Sequence, residues 1–307
     1  MTPGRQAHEF ERARPQLVGV AYRLLGSVSE AEDVVQDTAL KWLALRPPFP
    51  DRPVAWMTTV CTNRCLDILR SSHRKRMTYV GPWLPESVVT ESVEDAARNI
   101  EMASSLSTAF LLLLERLTPR ERAAYLLHDI FGMDFGLVSE SLHLSPANCR
   151  QLAARARRMV TQENARFVPA PERQRELLDS FTDALKTGSV DQLAGMLSED
   201  VDLRADSGGK ATAIRHVLEG SDAVTEFIAN TLGKAWSGKQ IGSSSANGQQ
   251  VLTVRKGTDL VALVAFGYGS DGNITSVFIH RNPDKLRTYT QYRASTSAAG
   301  GLVISRD

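Results

Sequence analysis

In the stretch SPANCRQLAARARRMV, residues 145–160, Asn148, Arg150 and Gln151 stand near the start of a segment with four arginines (Arg150, Arg155, Arg157, Arg158) and no acid. Amide and guanidinium groups make the bidentate hydrogen bonds that distinguish base edges, and arginines a turn or two later suit phosphates. Ser145-Pro146 supplies a capping hydroxyl and a proline where a helix begins, and the free N–H groups of a helix start favour an anion. A solvated basic helix is the plain alternative, and this stretch by itself does not separate the two. A second basic run, from Arg52 to Arg76, carries Arg52, Arg64, Arg70, Arg74, Lys75 and Arg76 against one acid, Asp67. An acid-rich spacer, 81–115, lies between them, so a formal net charge of +1 hides two basic patches.

These residues need helices to present them. Leu17, Val20, Ala21, Leu24 and Leu25 recur at helical spacing until Gly26-Ser27 breaks the run. Ser29, with Glu32 three residues on, reads as a capping box for a second helix. That helix buries Val34, Val35, Thr38, Leu40, Trp42 and Leu43 in part and shows Asp33, Gln36 and Asp37 on its polar side. RPPFPDRP is a Pro-rich loop. The next helix packs Trp56, Val60, Leu66 and Leu69 and turns Asn63, Arg64, Asp67 and Arg70 mostly the other way. Thr118-Pro119-Arg120-Glu121 is a second capping box with proline at the first helical position. LVSESL, the turn HLS and the basic helix after Ser145 then make a helix-turn-helix pattern.

Two further regions differ in texture. GPWLPESVV holds prolines and is too apolar for a plain linker, so Trp83-Leu84-Pro85 should dock on something. From Glu172 onward, helices come first, with Leu177, Leu178, Phe181 and Leu185 as a stripe. Strands VDLRA, QQVLTVR, DLVALVAFGYG and NITSVFIHR follow, two of them preceded by the hairpin signals Asn247-Gly248 and Asp271-Gly272. This order predicts a curved antiparallel sheet wrapped on helices. The Ser/Thr/Gly-rich end, 287–307, reads as a mobile tail.

At 42% hydrophobic the chain has ample apolar material for several cores. The apolar runs AFLLLL and LVALVAF are far short of a membrane span, and the first residues lack the apolar segment of a secretory signal. A cytoplasmic protein is expected. Cys61 and Cys65 are one turn apart, but Cys149 is remote and no histidine completes a zinc set, so no metal and no cofactor are expected.

With those residues in place, the chain resembles the RNA polymerase sigma factors of the extracytoplasmic-function type. AYRLLGSVSEAEDVVQDTALKW is similar to their region 2.1–2.2, RPVAWMTTVCTNRCLDILRSSHRKR to regions 2.3–2.4, and residues 114–160 to region 4. WLPE, DSGGK (206–210) and NPDKL (282–286) are similar to signature stretches of the sigma J-like subgroup, which carries a fused SnoaL-like domain; Ser207 departs from the usual glycine. The resemblance implies a multidomain chain: a region 2 domain (1–76), a linker (77–105), a region 4 helix-turn-helix domain (106–165), both domains all-α and DNA-binding, a cone-shaped α+β SnoaL-like domain (172–286), and the tail (287–307). It implies that Asp33, Gln36 and Asp37 meet the polymerase β′ coiled coil, with the β flap as a second contact. Loop 46–53, with Phe49 or Trp56, would capture a flipped base. Asn63, Arg64, Asp67, Arg70 and Arg74 would read the −10 element, and Asn148, Arg150, Gln151 and Arg155 the −35 element. Trp83, Leu84 and Pro85 with Asp206, Gly208, Gly209, Lys210, Asn282, Pro283, Asp284, Lys285 and Leu286 would be regulatory. Promoter DNA and core polymerase are the implied partners, with no membrane and no separate anti-sigma factor.

Two other readings stay open on the residues. A catalytic or ligand-binding C-terminal module could use Asp202, Asp206, His216, Asp259 or His280, although no motif joins any two of them. A helix-turn-helix repressor would leave AEDVVQD and the 52–76 patch without a role.

Overall fold

In the computed structural model of the chain, residues 3–90, 104–163 and 167–299 are described. They fall into two compact units, one of residues 3–77 with 113–162 and one of residues 78–90, 104–112, 163 and 167–299.

The first unit is all helix. α1 (Pro3–Leu25) buries Leu17, Val20, Ala21, Leu24 and Leu25. Gly26, at φ 68°, ends it so abruptly that Ser27 is already extended. Ser27, and not Ser29, therefore caps α2 (Val28–Leu43), its hydroxyl accepting from the Glu30 N–H at 3.4 Å. Trp42 is fully buried; its indole N–H donates to Gln6 O (2.8 Å) and the Gln6 amide donates to Trp42 O (3.2 Å). Leu40 and Leu43 are not buried as expected but 61% and 43% exposed. They sit seven residues after Asp33 and Gln36, on the same helix face. α3 (Pro53–Met77) buries Met57, Cys61, Cys65, Leu66 and Leu69.

The chain returns to this unit through the end of α4 (Thr108–Glu115). α5 (Pro119–Tyr125) opens with the complete Thr118/Glu121 capping box and runs into a π turn, Leu126–Ile130. α6 (Phe135–Leu142) and α7 (Pro146–Gln162) form the helix-turn-helix, the corner made by His143 in the left-handed region at φ 53°. The two helical domains pack together, α6 lying on α3. Arg122 is buried between them and donates to Leu24 O and to Glu115 Oε1, both at 2.7 Å. Burial lowers its pKa to about 9.

The second unit is a six-stranded sheet in the order β2-β1-β6-β5-β4-β3. Its strands are β1 (Leu197–Asp206), β2 (Leu218–Glu219), β3 (Gln240–Ala246), β4 (Gln249–Lys256), β5 (Asp259–Tyr268) and β6 (Ile274–His280). One face packs on α8 (Pro171–Thr187) and on a helix running from α10 (Ser221–Glu226) through a π turn (Phe227–Leu232) into α11 (Gly233–Trp236); α9 (Asp191–Ala194) is a single turn. The other face holds Val251, Leu263, Ala265 and Phe278 under Leu84, Leu286 and Tyr289. The sheet is mixed rather than antiparallel, because β1 and β6 run parallel with Asp206 level with His280. A strand pattern with period 2 fixes faces but not the direction of a non-sequential neighbour. Residues 287–299, expected to be mobile, continue α12 (Pro283–Ala299) instead. Asn282 Oδ1 accepts from the Asp284 N–H (3.0 Å), Pro283 sets the first turn, and buried Leu286 and Tyr289 anchor it. Residues 300–307 lie outside the described residues.

His280 ends β6 fully buried, and its two ring nitrogens have no hydrogen-bond partner among the described residues. Burial lowers its pKa from 6.5 to about 4, with Asp206 opposing and Lys285 adding to the shift. The folded chain thus keeps the ring neutral while the unfolded chain protonates it below about pH 6.5. Stability contributed above that pH is lost as the pH falls towards 4, by up to about 1.4 kcal/mol per unit. The urea midpoint should drop between pH 6.5 and 4.5, and His280→Phe should flatten that part of the profile. Parallel profiles for the two proteins would remove His280 as the cause.

Candidate functional site

Helix α7, the second of the helix-turn-helix, is divided cleanly. Cys149, Ala153, Ala156 and Val160 are buried on one stripe. Asn148, Arg150, Gln151 and Arg155 are all exposed. At 100° per residue, Ala147, Gln151, Ala154 and Arg158 point opposite the buried stripe, with Asn148 and Arg155 on one flank and Arg150 and Arg157 on the other. Arg158 is thus central to the outward face, a position that counting round the helix from Cys149 would have singled out. Arg157 is engaged by Asp129 at 2.7 Å, which raises its pKa, and Arg155 lies 3.9 Å from Glu121. Arg150 sits over the ring of Phe135, 5.5 Å from its centre.

On α3, Asn63 is only partly exposed. Its amide donates to Thr59 O (3.0 Å) and to Ser141 O (3.1 Å) at the end of α6, and the Thr59 and Ser141 hydroxyls are 2.9 Å apart. Arg64 pairs with Asp37 at 3.1 Å, bringing an expected −10 residue against an expected polymerase-facing one. Asp67 and Arg70 pair with each other at 3.1 Å, both exposed. The Arg74 side chain lies outside the described residues. Asp33 and Gln36 are exposed beside Leu40. Trp56 leans on Trp42 with ring centres 5.8 Å apart, while Phe49 is half-buried in the loop.

The linker and the two signature stretches come together in the second unit. Asp206, at the end of β1, has no exposure to water. One carboxylate oxygen accepts from Tyr79 Oη (2.6 Å) and the Gly208 N–H (3.1 Å); the other accepts from the Leu84 N–H (2.9 Å) and Lys285 Nζ (2.7 Å). Lys285 also donates to Leu84 O, and its ammonium lies 4.5 Å from the centre of the Trp83 ring and 5.3 Å from that of Tyr79. Asn282 donates to Tyr79 Oη at 2.9 Å. Burial and the Asp206 carboxylate push the Tyr79 phenol well above its usual pKa. Leu84 is fully buried and Pro85 buried, a hydrophobic gain of about 1.5–3 kcal/mol for the leucine. Gly208 is required twice: it adopts φ 56°, and a Cβ there would come within 2.4 Å of Asn282 Nδ2. Ser207 needs no such freedom, and its hydroxyl accepts from the Gly209 N–H at 3.3 Å. Lys210 pairs with Asp284 at the rim and holds that carboxyl below its usual pKa. Further on, Val88 exchanges hydrogen bonds with Asn247 (2.9 and 2.6 Å).

Of the residues with possible acid–base roles, Asp202 pairs with Arg204, Asp206 is committed to the linker, His216 and Asp259 are exposed, and His280 is buried. No hydrogen bond joins any two of them. Among the described residues no His/Cys/Asp/Glu group could hold a metal ion, and no helix is long and apolar enough to cross a membrane.

Residues 10–75 match the family Sigma-70 region 2, and residues 107–160 match Sigma-70, region 4. The chain is 40% identical over 225 residues to the ECF RNA polymerase sigma factor SigJ of Mycobacterium tuberculosis, spanning 73% of this chain and 72% of that one. It is 30% identical over 190 residues to the probable ECF RNA polymerase sigma factor SigI of the same species, 61% of this chain and 65% of the other. The crystal structure of M. tuberculosis SigJ superposes with a TM-score of 0.69 at 33% identity, over 92% of this chain and 98% of that one. An acid-and-amide helix face, a basic recognition helix and a linker tied to a curved-sheet domain thus occur together in a chain that belongs to the extracytoplasmic-function family of RNA polymerase sigma factors.

Proposed function

We propose that this promoter-recognition factor binds core polymerase through the α2 face of Asp33, Gln36 and Asp37, extended by Leu40, with region 4 meeting the β flap. Arg64, Asp67, Arg70, Arg74 and a released Asn63 serve the −10 element; Asn148, Arg150, Gln151 and Arg155 serve the −35 element, with Arg158 on the same face. The observation that carries the −35 assignment is the outward stripe of α7, where a base-reading amide and guanidinium groups stand around two alanines small enough to allow close approach to a groove. Chemistry is left to the polymerase, and the cytoplasm is the compartment that supplies it.

The C-terminal domain acts as a built-in regulator, so that no separate anti-sigma factor is needed. The Asp206–Lys285 pair and buried Leu84 support this, because they hold the segment that connects the two DNA-binding domains. Asn63 is occupied by Ser141 in the described arrangement, so −10 reading requires α3 and α6 to part.

Three outcomes follow. Asp33→Lys with Asp37→Lys should abolish retention on immobilised core polymerase while leaving the melting curve of the free protein in place; undiminished retention would reassign the face. Asp206→Ala removes the carboxylate that the largely buried Lys285 ammonium faces, a cost of about 3–5 kcal/mol. It should open residues 78–90 to proteolysis and change run-off transcription in step; a protected linker with an unchanged transcript level would refute the regulatory reading. Cysteines placed at Thr59 and Ser141 should cross-link under oxidation, silence transcription, and recover on reduction. Full activity of the cross-linked protein would show that α3 and α6 need not separate.

A further inference from the structure

Arg150 is exposed, yet it is not loose. Phe135 lies beneath it, and Phe135 is itself fixed on two sides. Asp134 caps α6 by accepting from the Leu137 N–H at 3.0 Å, which sets the backbone at Phe135. The imidazole of His128 stacks on the Phe135 ring, centres 3.8 Å apart and planes 28° from parallel. His128 Nδ1–H donates to Met133 O at 2.8 Å, and the turn that carries it is closed by the Phe131 N–H to Leu126 O (3.0 Å) and the Gly132 N–H to His128 O (3.1 Å). A π turn is rare and occurs frequently at functional sites. Here it sets the His128 ring against Phe135, and Phe135 carries the Arg150 guanidinium.

We infer that Phe135, braced by His128, is a positioning residue for −35 recognition: it holds the Arg150 guanidinium ready for a bidentate contact with a guanine edge. This rests on the reading of Arg150 as a −35 residue. A free arginine must lose rotamer freedom before its planar fork can meet the two acceptors of guanine. A ring under the guanidinium restricts that freedom beforehand, and the cation–π attraction keeps the plane in place. Phe135 opens the helix before α7 and acts through Arg150 rather than on DNA.

The test is a double-mutant cycle in the full chain, read by run-off transcription with core polymerase on the cognate promoter and on a panel of single-pair −35 variants. Arg150→Ala should flatten the preference at one G·C pair. Phe135→Leu should reduce the preference at that same pair about two- to five-fold, the range for an exposed cation–π contact. Phe135→Tyr, which keeps a ring, should restore it. The double variant should be no worse than Arg150→Ala. A Phe135→Leu loss spread evenly over all −35 variants, or adding fully to Arg150→Ala, would overturn the inference and leave Phe135 a packing residue. Absence of any −35 effect of Arg150→Ala would overturn the assignment of Arg150 itself, and the inference with it.

Discussion

A carboxylate sealed from water must be paid for with hydrogen bonds, and Asp206 meets that demand with groups from three separate parts of the chain. Tyr79 and the Leu84 backbone come from the linker, Gly208 from its own turn, and Lys285 from the start of α12. An isolated buried ion is strongly unfavourable, and a buried pair is tolerated only where the remaining lone pairs are satisfied. The arrangement is therefore all-or-none: each partner is needed because the others are present. A surface pair such as Lys210–Asp284 carries no such constraint and contributes little by comparison.

That cluster exists because β1 and β6 run parallel. In an antiparallel pair the end of one strand meets the start of the next, and the stretches after Asp206 and His280 would leave opposite edges of the sheet. Parallel pairing sends both out at the same edge, so residues more than seventy positions apart meet above one carboxylate. The first unit uses the same economy of shared partners. Arg122 answers a free carbonyl at the end of α1 and a glutamate on α4 with one guanidinium, and Asn63 satisfies the last turn of α6.

Much of this was legible beforehand. Helix periodicity placed α1, α3 and the helix-turn-helix, and the Thr118 capping box is where its residue types put it. WLPE was too apolar to be left in water, and it is not. What escaped depended on neighbours. Whether Ser27 or Ser29 caps α2 turns on the φ of Gly26, which a one-dimensional reading does not contain. The exposure of Leu40 and Leu43 follows from which helices flank α2. The direction of β1 against β6, and the anchoring of the low-complexity end by Leu286 and Tyr289, are set by contacts between residues distant in the chain. Arg158 could have been found from the helix wheel, whereas the ring under Arg150 could not.

The docked linker also governs a quantity of polymer physics. Lying on the sheet, residues 78–90 cannot wander. Undocked, those thirteen residues would behave as a flexible tether with a root-mean-square reach of roughly 20 Å. A single buried carboxylate thus decides whether this stretch is an ordered part of the sheet domain or a loose tether.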